Sequence, residues 1–300
     1  MAYYNGSAND MGALRSAVVG ACQSEGWAWD GSDAVLSKAG MYLQLLVESG
    51  YLRLLGRTSA DAGDMDHRVQ IGPFTGRGDD PLPALIYPIA YELFLFDQEV
   101  YCVINYSVDC YQWFAWGKST VQGLPGTGMW LGATAAGEST NYAYGIGIRP
   151  DSGISSSGYG AFFCPALFWS TSGAPEESRV HTDLDGQGWW MAQTVTGNPV
   201  GISAAVPLIG VLPNAWNSEA VLLPIRALKV RPSNKLSLAA DLEHARYTRV
   251  DNYSPGQIIT IGADRWKLFP WFRKSSADRD CAAGASHSGT FGWALRYEGP

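Results

Sequence analysis

Gly117-Lys118-Ser119-Thr120 has the residue types with which a nucleotide-binding loop ends, a lysine for phosphate and hydroxyls for magnesium. That chemistry needs a second glycine five residues earlier, so that backbone N–H groups can wrap the phosphates before a helix begins. The earlier position is Gln112, and Trp113, Phe114, Ala115 and Trp116 fill the space between. The segment after Thr120, "VQGLPGTG", cannot continue a helix because of its glycines and Pro125. We therefore expect no bound nucleotide, and read "WGKS" as a strand end carrying a solvated lysine.

A second cluster, "PEESRVHTDLDGQGWW", holds Glu176, Glu177, His181, Asp183 and Asp185. Asp183 and Asp185 fall on one side of an extended strand, and a third oxygen ligand there would complete a divalent-cation site. A metal-dependent hydrolase built on His181, Asp183 and Asp185 is the reading this pattern offers. An EF-hand loop requires a longer ligand run closed by glutamate, whereas this one stops at Gly186, so an exposed Asp-Gly turn is the expectation and no metal or cofactor is assigned. Nucleophilic catalysis finds no GxSxG, and His67, His181, His244 and His287 sit in unrelated polar settings. The chain is read as non-enzymatic, with no catalytic residue.

Aromatic residues offer binding instead. Exposed Trp and Tyr stack on sugars and anchor protein interfaces. Trp189 and Trp190 are adjacent, so in a strand they point to opposite faces and one of them is a candidate for a second surface.

These side chains must be positioned by a mainly β framework. Met11, Leu14, Val18 and Cys22 recur at helical spacing, with Ser7, Asn9 or Asp10 as N-cap and Gly26 as the stop. "MYLQLLVESGYLRLLGRT" predicts two strands about Glu48-Ser49-Gly50, and Tyr91–Phe96, Glu99–Tyr106 and Cys110–Gly117 predict a three-stranded meander that the helix covers on its apolar face. Residues 117–160 contain 11 glycines, which marks a boundary or insertion. "QIITIGADRWKLFPWF" predicts a hairpin, and Phe291, Trp293, Leu295 and Tyr297 share one face of a last strand. The expected fold is α+β and mainly β: an antiparallel meander with one N-terminal helix in residues 1–135, a Gly/Pro-rich β and loop region in 136–215, and a small β domain in 216–300.

A chain of 300 residues, 46% hydrophobic and 16% charged, can bury one large core or two smaller ones, which argues against disorder. Its net charge of −7 is unevenly placed: residues 1–215 hold 9 Lys+Arg against 20 Asp+Glu, and residues 216–300 hold 12 against 8. The basic part is too sparse for nucleic acid but suits head-to-tail self-association with an acidic body, with Arg273, Lys274, Phe291 and Trp293 as candidate contacts. Five cysteines lack zinc spacing, and register keeps Cys102 and Cys110 apart, so free thiols and synthesis in a reducing cytoplasm are expected. The uncharged stretch 186–218 is broken by Pro199, Pro207 and Pro213 and is not expected to span a membrane.

"YPIAYELFLFDQEVYCVINYSVDCYQWFAWGKS", "GTGMWLGAT", "PGQIITIGADRWKLFPWFRK" and "HSGTFGWALRYEGP", with the opening "MAYYNGSANDMGALR", resemble a family of mostly uncharacterised virion proteins of tailed bacteriophages and prophages. The resemblance covers most of the chain and implies a structural role in tail, baseplate or neck, a virion location, other virion proteins as partners and a symmetric homo-oligomer. It transfers no catalytic residue. Low charge, many aromatics and Gly-rich arms agree with such a role. The alternative is a carbohydrate-binding module that recognises a host-surface glycan.

Overall fold

Two-residue turns with left-handed backbone organise the first strands. The computed structural model describes residues 1–65, 67–74, 83–136, 179–191, 220–231, 233, 235–274 and 291–300. In it, β1 (Ala2–Ala8) leads into α1 (Met11–Ser24), followed by β2 (Ala28–Asp30), β3 (Val35–Lys38), β4 (Met41–Glu48), β5 (Tyr51–Arg57) and β6 (Val69–Ile71). Ser49 and Gly50, at φ 52° and 82°, join β4 to β5 in the hairpin the sequence predicts. Asp10 is the N-cap actually used, its Oδ1 accepting from Ala13 N–H at 2.7 Å, and Met11, Leu14, Val18 and Cys22 are buried as their spacing requires.

The meander comprises β7 (Ile89–Leu95), β8 (Glu99–Ser107) and β9 (Cys110–Lys118), and β10 (Met129–Ala133) extends it into the glycine-rich region read as a boundary or insertion. The short strands β11 (Ala135–Ala136), β12 (Val180–Thr182) and β13 (Trp190–Met191) come next. The C-terminal part forms β14 (Leu223–Arg231), β15 (Lys235–Arg249), β16 (Ile258–Ile261), β17 (Asp264–Pro270) and β18 (Phe291–Arg296). Among the described residues all pairings are antiparallel, and three sheets result: β1-β7-β8-β9-β10-β12-β13, β11-β6-β5-β4-β3-β2, and β14-β15-β18-β17-β16. Cys102 faces Phe114 and Cys110 faces Ser107, so those thiols are out of register and free, as is Cys22; Cys164 and Cys281 lie outside the described residues.

The seven-stranded sheet is buried on both faces, and strand alternation divides its side chains cleanly. Leu93, Leu95, Val100, Cys102, Ile104, Phe114 and Trp116 meet α1 and the six-stranded sheet. Phe94, Tyr101, Val103, Trp113 and Trp130 meet Tyr247, Phe269, Trp271, Trp293 and Leu295 of the five-stranded sheet. The meander is therefore covered by a sheet on each side, with the helix sharing one face, rather than by the helix alone; both of its faces are apolar, so one element could not have sufficed. Residues on either side of the boundary expected at 216 share this second core. Among the described residues no helix is long and apolar enough to cross a membrane.

Candidate functional site

The tryptophans proposed as anchors are mostly used within the chain. Trp293 is fully buried, stacked on Trp271 at 4.8 Å between ring centroids and edge-on to Trp113 at 5.7 Å. The face it shares with Leu295 and Tyr297 is the inner face of the sheet, so the alternation was legible but its direction was not. Trp189 is 4% exposed and lies over β5, where a Cβ on Gly56 would fall 2.1 Å from its ring. Only glycine admits that approach. An anchoring role for Trp189 or Trp293 in another subunit is thus corrected by their burial here. Trp190 pairs through its backbone with Thr182, and Phe291 with Arg249.

The expected attraction between the basic part and an acidic body also operates inside the subunit. Arg231 grips Asp185 with two hydrogen bonds of 2.7 Å each, a fork geometry that raises the arginine's pKa. Lys267 pairs with Glu92 and donates to Tyr3 Oη at 3.0 Å. Burial pulls the Lys267 ammonium down, but Glu92 and Tyr3 outweigh it and leave the group above its ordinary value. Burial likewise raises the Tyr3 phenol.

Asp185 is thereby committed to an arginine. Asp183 instead clamps the loop between β9 and β10, its Oδ2 accepting from Thr127 N–H at 2.9 Å and Thr127 Oγ1 at 2.8 Å. His181 is buried in β12 between Leu131 and Met191. Among the described residues no three His, Cys, Asp or Glu side chains converge as metal ligands would. The Lys118 ammonium donates to Ala39 O at 3.0 Å, and Ser119 Oγ accepts from Val121 N–H at 3.1 Å. The chain then turns through a loop into β10, so the geometry at "GKST" is that of a strand end.

One constellation was missed in the sequence. Glu99, 3% exposed, collects Tyr101 Oη at 2.9 Å, the backbone N–H groups of Glu243 and His244 at 3.0 Å each, and His244 Nδ1 at 2.7 Å. The His244 ring stacks on Phe96 at 3.7 Å. A single acid opening the apolar strand "EVYCVINY" was the available signal, but its partners are contributed by β15, far along the chain. The arrangement orients an imidazole and joins two sheets. Burial, and then the adjacent Glu99 charge, push the Tyr101 phenol well up.

Arg273 is exposed and Lys274 half-buried. After β17, Phe272 O accepts from Tyr111 N–H at 2.5 Å, Arg273 bridges to Cys110, and Lys274 N–H donates to Asp109 O at 2.8 Å. The Lys274 ammonium contacts Val250 O. This strap fixes the tip of the β8–β9 hairpin, where Asp109 takes φ 57° and Val108 is 86% exposed. Beside the tip lies an open cavity of about 360 Å³ lined by Asp109, Asp251, Asn252, Tyr253, Ser254 and Lys274. Asp251 is held by Arg249 Nη2 at 2.5 Å, both side chains 1% exposed, which makes its wall rigid. The tip thus sets one exposed apolar side chain, Val108, among charges of both signs on a braced backbone. No family model and no curated protein matches this chain.

Proposed function

We propose that the chain is a non-enzymatic structural component of a tailed-bacteriophage virion, in tail, baseplate or neck, and that it assembles as a symmetric oligomer. It is made in the host cytoplasm and resides in the particle with other virion proteins. The family resemblance supports the virion setting. The observation that carries the assembly role is the braced hairpin tip, with Val108 at 86% exposure between Asp109 and the Arg273-Lys274 strap. Three ion pairs outside it, Glu99 with His244, Glu92 with Lys267 and Asp185 with Arg231, join layers of the fold.

A glycan-binding role draws on the same cavity, whose Asp109, Asn252 and Ser254 suit sugar hydroxyls. It is second because Tyr253, the aromatic ring there, is only 8% exposed and offers little stacking platform. The test is mass spectrometry and cryo-EM of purified particles from cells carrying the gene within its phage or prophage. Stoichiometric presence at a symmetric position supports the proposal. Absence from intact particles overturns it, and saturable binding to a host-glycan array favours the second reading.

A further inference from the structure

The six edge strands of the three sheets are not equally protected. Among the described residues, β11 and β13 are two residues long and β2 three, too short to template much pairing. The edge strand β14 carries Pro224, Arg226, Lys229 and Arg231 and two register shifts. The edge of β1 exposes Asn5, Gly6 and Ser7, poor strand formers. By contrast, β16 is Ile258-Ile259-Thr260-Ile261, all β-branched, with no charge, no proline and no bulge. Ile258 is 38% and Ile261 42% exposed, among the most exposed large apolar side chains of the described residues. Apart from its modest length of four residues, the devices that protect the other edges are missing from it.

The turn fixes which backbone groups point outward. Gly262, at φ 62°, and Ala263 form a two-residue turn, so the flanking pair Ile261–Asp264 exchanges both ladder hydrogen bonds. Alternation makes Ile259–Trp266 the next such pair, and the N–H and C=O groups of Ile258 and Thr260 are directed away from β17.

We propose that β16 is a strand-addition edge through which two copies of this chain pair antiparallel about a two-fold axis at Ile259. In that register Ile258 faces the partner's Thr260 and Thr260 the partner's Ile258, and the outward donors and acceptors match in four hydrogen bonds. Ile259 meets its own copy in the close, non-hydrogen-bonded pair. No charges are brought face to face along the strand, and at each end the uncharged Gln257 faces the partner's Ile261. The occupant is a second copy because the edge is complementary to itself under this rotation, an isologous contact. The inference rests on the oligomer part of the function proposed above.

Sedimentation velocity of the full chain over a concentration series tests it. A concentration-dependent dimer is expected. Thr260→Pro removes an outward donor that the hairpin does not use, so the dimer is lost while circular dichroism and thermal midpoint stay the same. Ile259→Cys, under oxidation, yields a disulfide-linked dimer, because close antiparallel pairs bring Cβ atoms within disulfide range; Ile261→Cys yields none. A wild-type chain that stays monomeric throughout, a dimer that survives in folded Thr260→Pro, or an Ile259→Cys chain that cross-links no more than wild type overturns the proposal. If Thr260→Pro does not fold, the cysteine pair alone decides. Particle composition is independent of these readouts, so failure of the β16 contact and failure of the virion reading are distinguishable.

Discussion

His244 Nδ1 lies 2.7 Å from Glu99 Oε2, and through that contact β15 of the outer sheet is fastened to β8 of the central one. Two backbone N–H groups and a tyrosine hydroxyl share the same carboxylate. Glu99→Ala strands those donors in a partly buried junction, and we expect a loss of about 2–3 kcal/mol in urea unfolding. Glu99→Gln retains one acceptor and should lose less. A Glu99→Ala chain within about 1 kcal/mol of wild type would show that the junction is held by apolar packing alone.

Trp293→Ala should behave as a folding mutant. Its ring contacts Trp271, Trp113 and Tyr101 in the core between two sheets, so truncation costs about 3–5 kcal/mol and lowers the thermal midpoint at every ionic strength. Full stability in this variant would contradict the buried position.

Reversal of Arg273 and Lys274 to glutamate acts on a surface. Lys274 gives up its hydrogen bond to Val250 O, so stability should fall by about 1 kcal/mol, while particle assembly slows, most strongly at low salt. Normal assembly kinetics in low salt would remove the strap from the contact.

Thiol chemistry offers a pH test. Burial lifts the Cys22 thiol to about 12, and burial raises Cys102 as well. Their folded pKa values exceed the unfolded ones, so the stability they contribute is complete below about pH 8.5 and is lost as pH rises toward 12. Native protein at neutral pH should react with a thiol reagent at Cys22 and Cys102 only on the timescale of unfolding, and unfolded protein without reductant should be modified at all five cysteines. Rapid native labelling of Cys22 would argue against its place on the buried face of α1.

Lys118→Ala should alter neither fold nor nucleotide response, since calorimetric titration of the wild type with ATP or GTP and magnesium is expected to give no binding heat. A micromolar affinity abolished by this substitution would reverse the reading of "GKST".

Local signals were the legible ones. The helix came from Met11, Leu14, Val18 and Cys22, and the hairpins from Ser49-Gly50 and Gly262, because spacing and turn chemistry are written in neighbouring residues. The layers were not legible. Trp293 and its neighbours alternate as a strand facing either core or partner would, and only the aromatic face of β8 and β9 decides between the two. Glu99 and His244 were missed for the same reason: each is ordinary in its own segment, and their meeting depends on how sheets stack. β15 escaped because "KLSLAADLEHARYTR" is rich in Ala and Leu and carries an Asp and a Glu, residues with modest or poor strand preference, and pairing with β14 and β18 overrides that preference.

The two-sided burial of the central sheet has a consequence for biosynthesis. Phe94, Tyr101, Trp113 and Trp130 leave the ribosome well before Tyr247, Trp271 and Trp293, which cover them. At about 5–20 residues per second, that aromatic face stays uncovered on a nascent chain for on the order of ten seconds. A chain released early, anywhere before β15, keeps the sticky face and has nothing to close it. Truncated products should therefore partition into inclusion bodies or onto chaperones, until Trp293 and Leu295 of β18 complete the cover over that face.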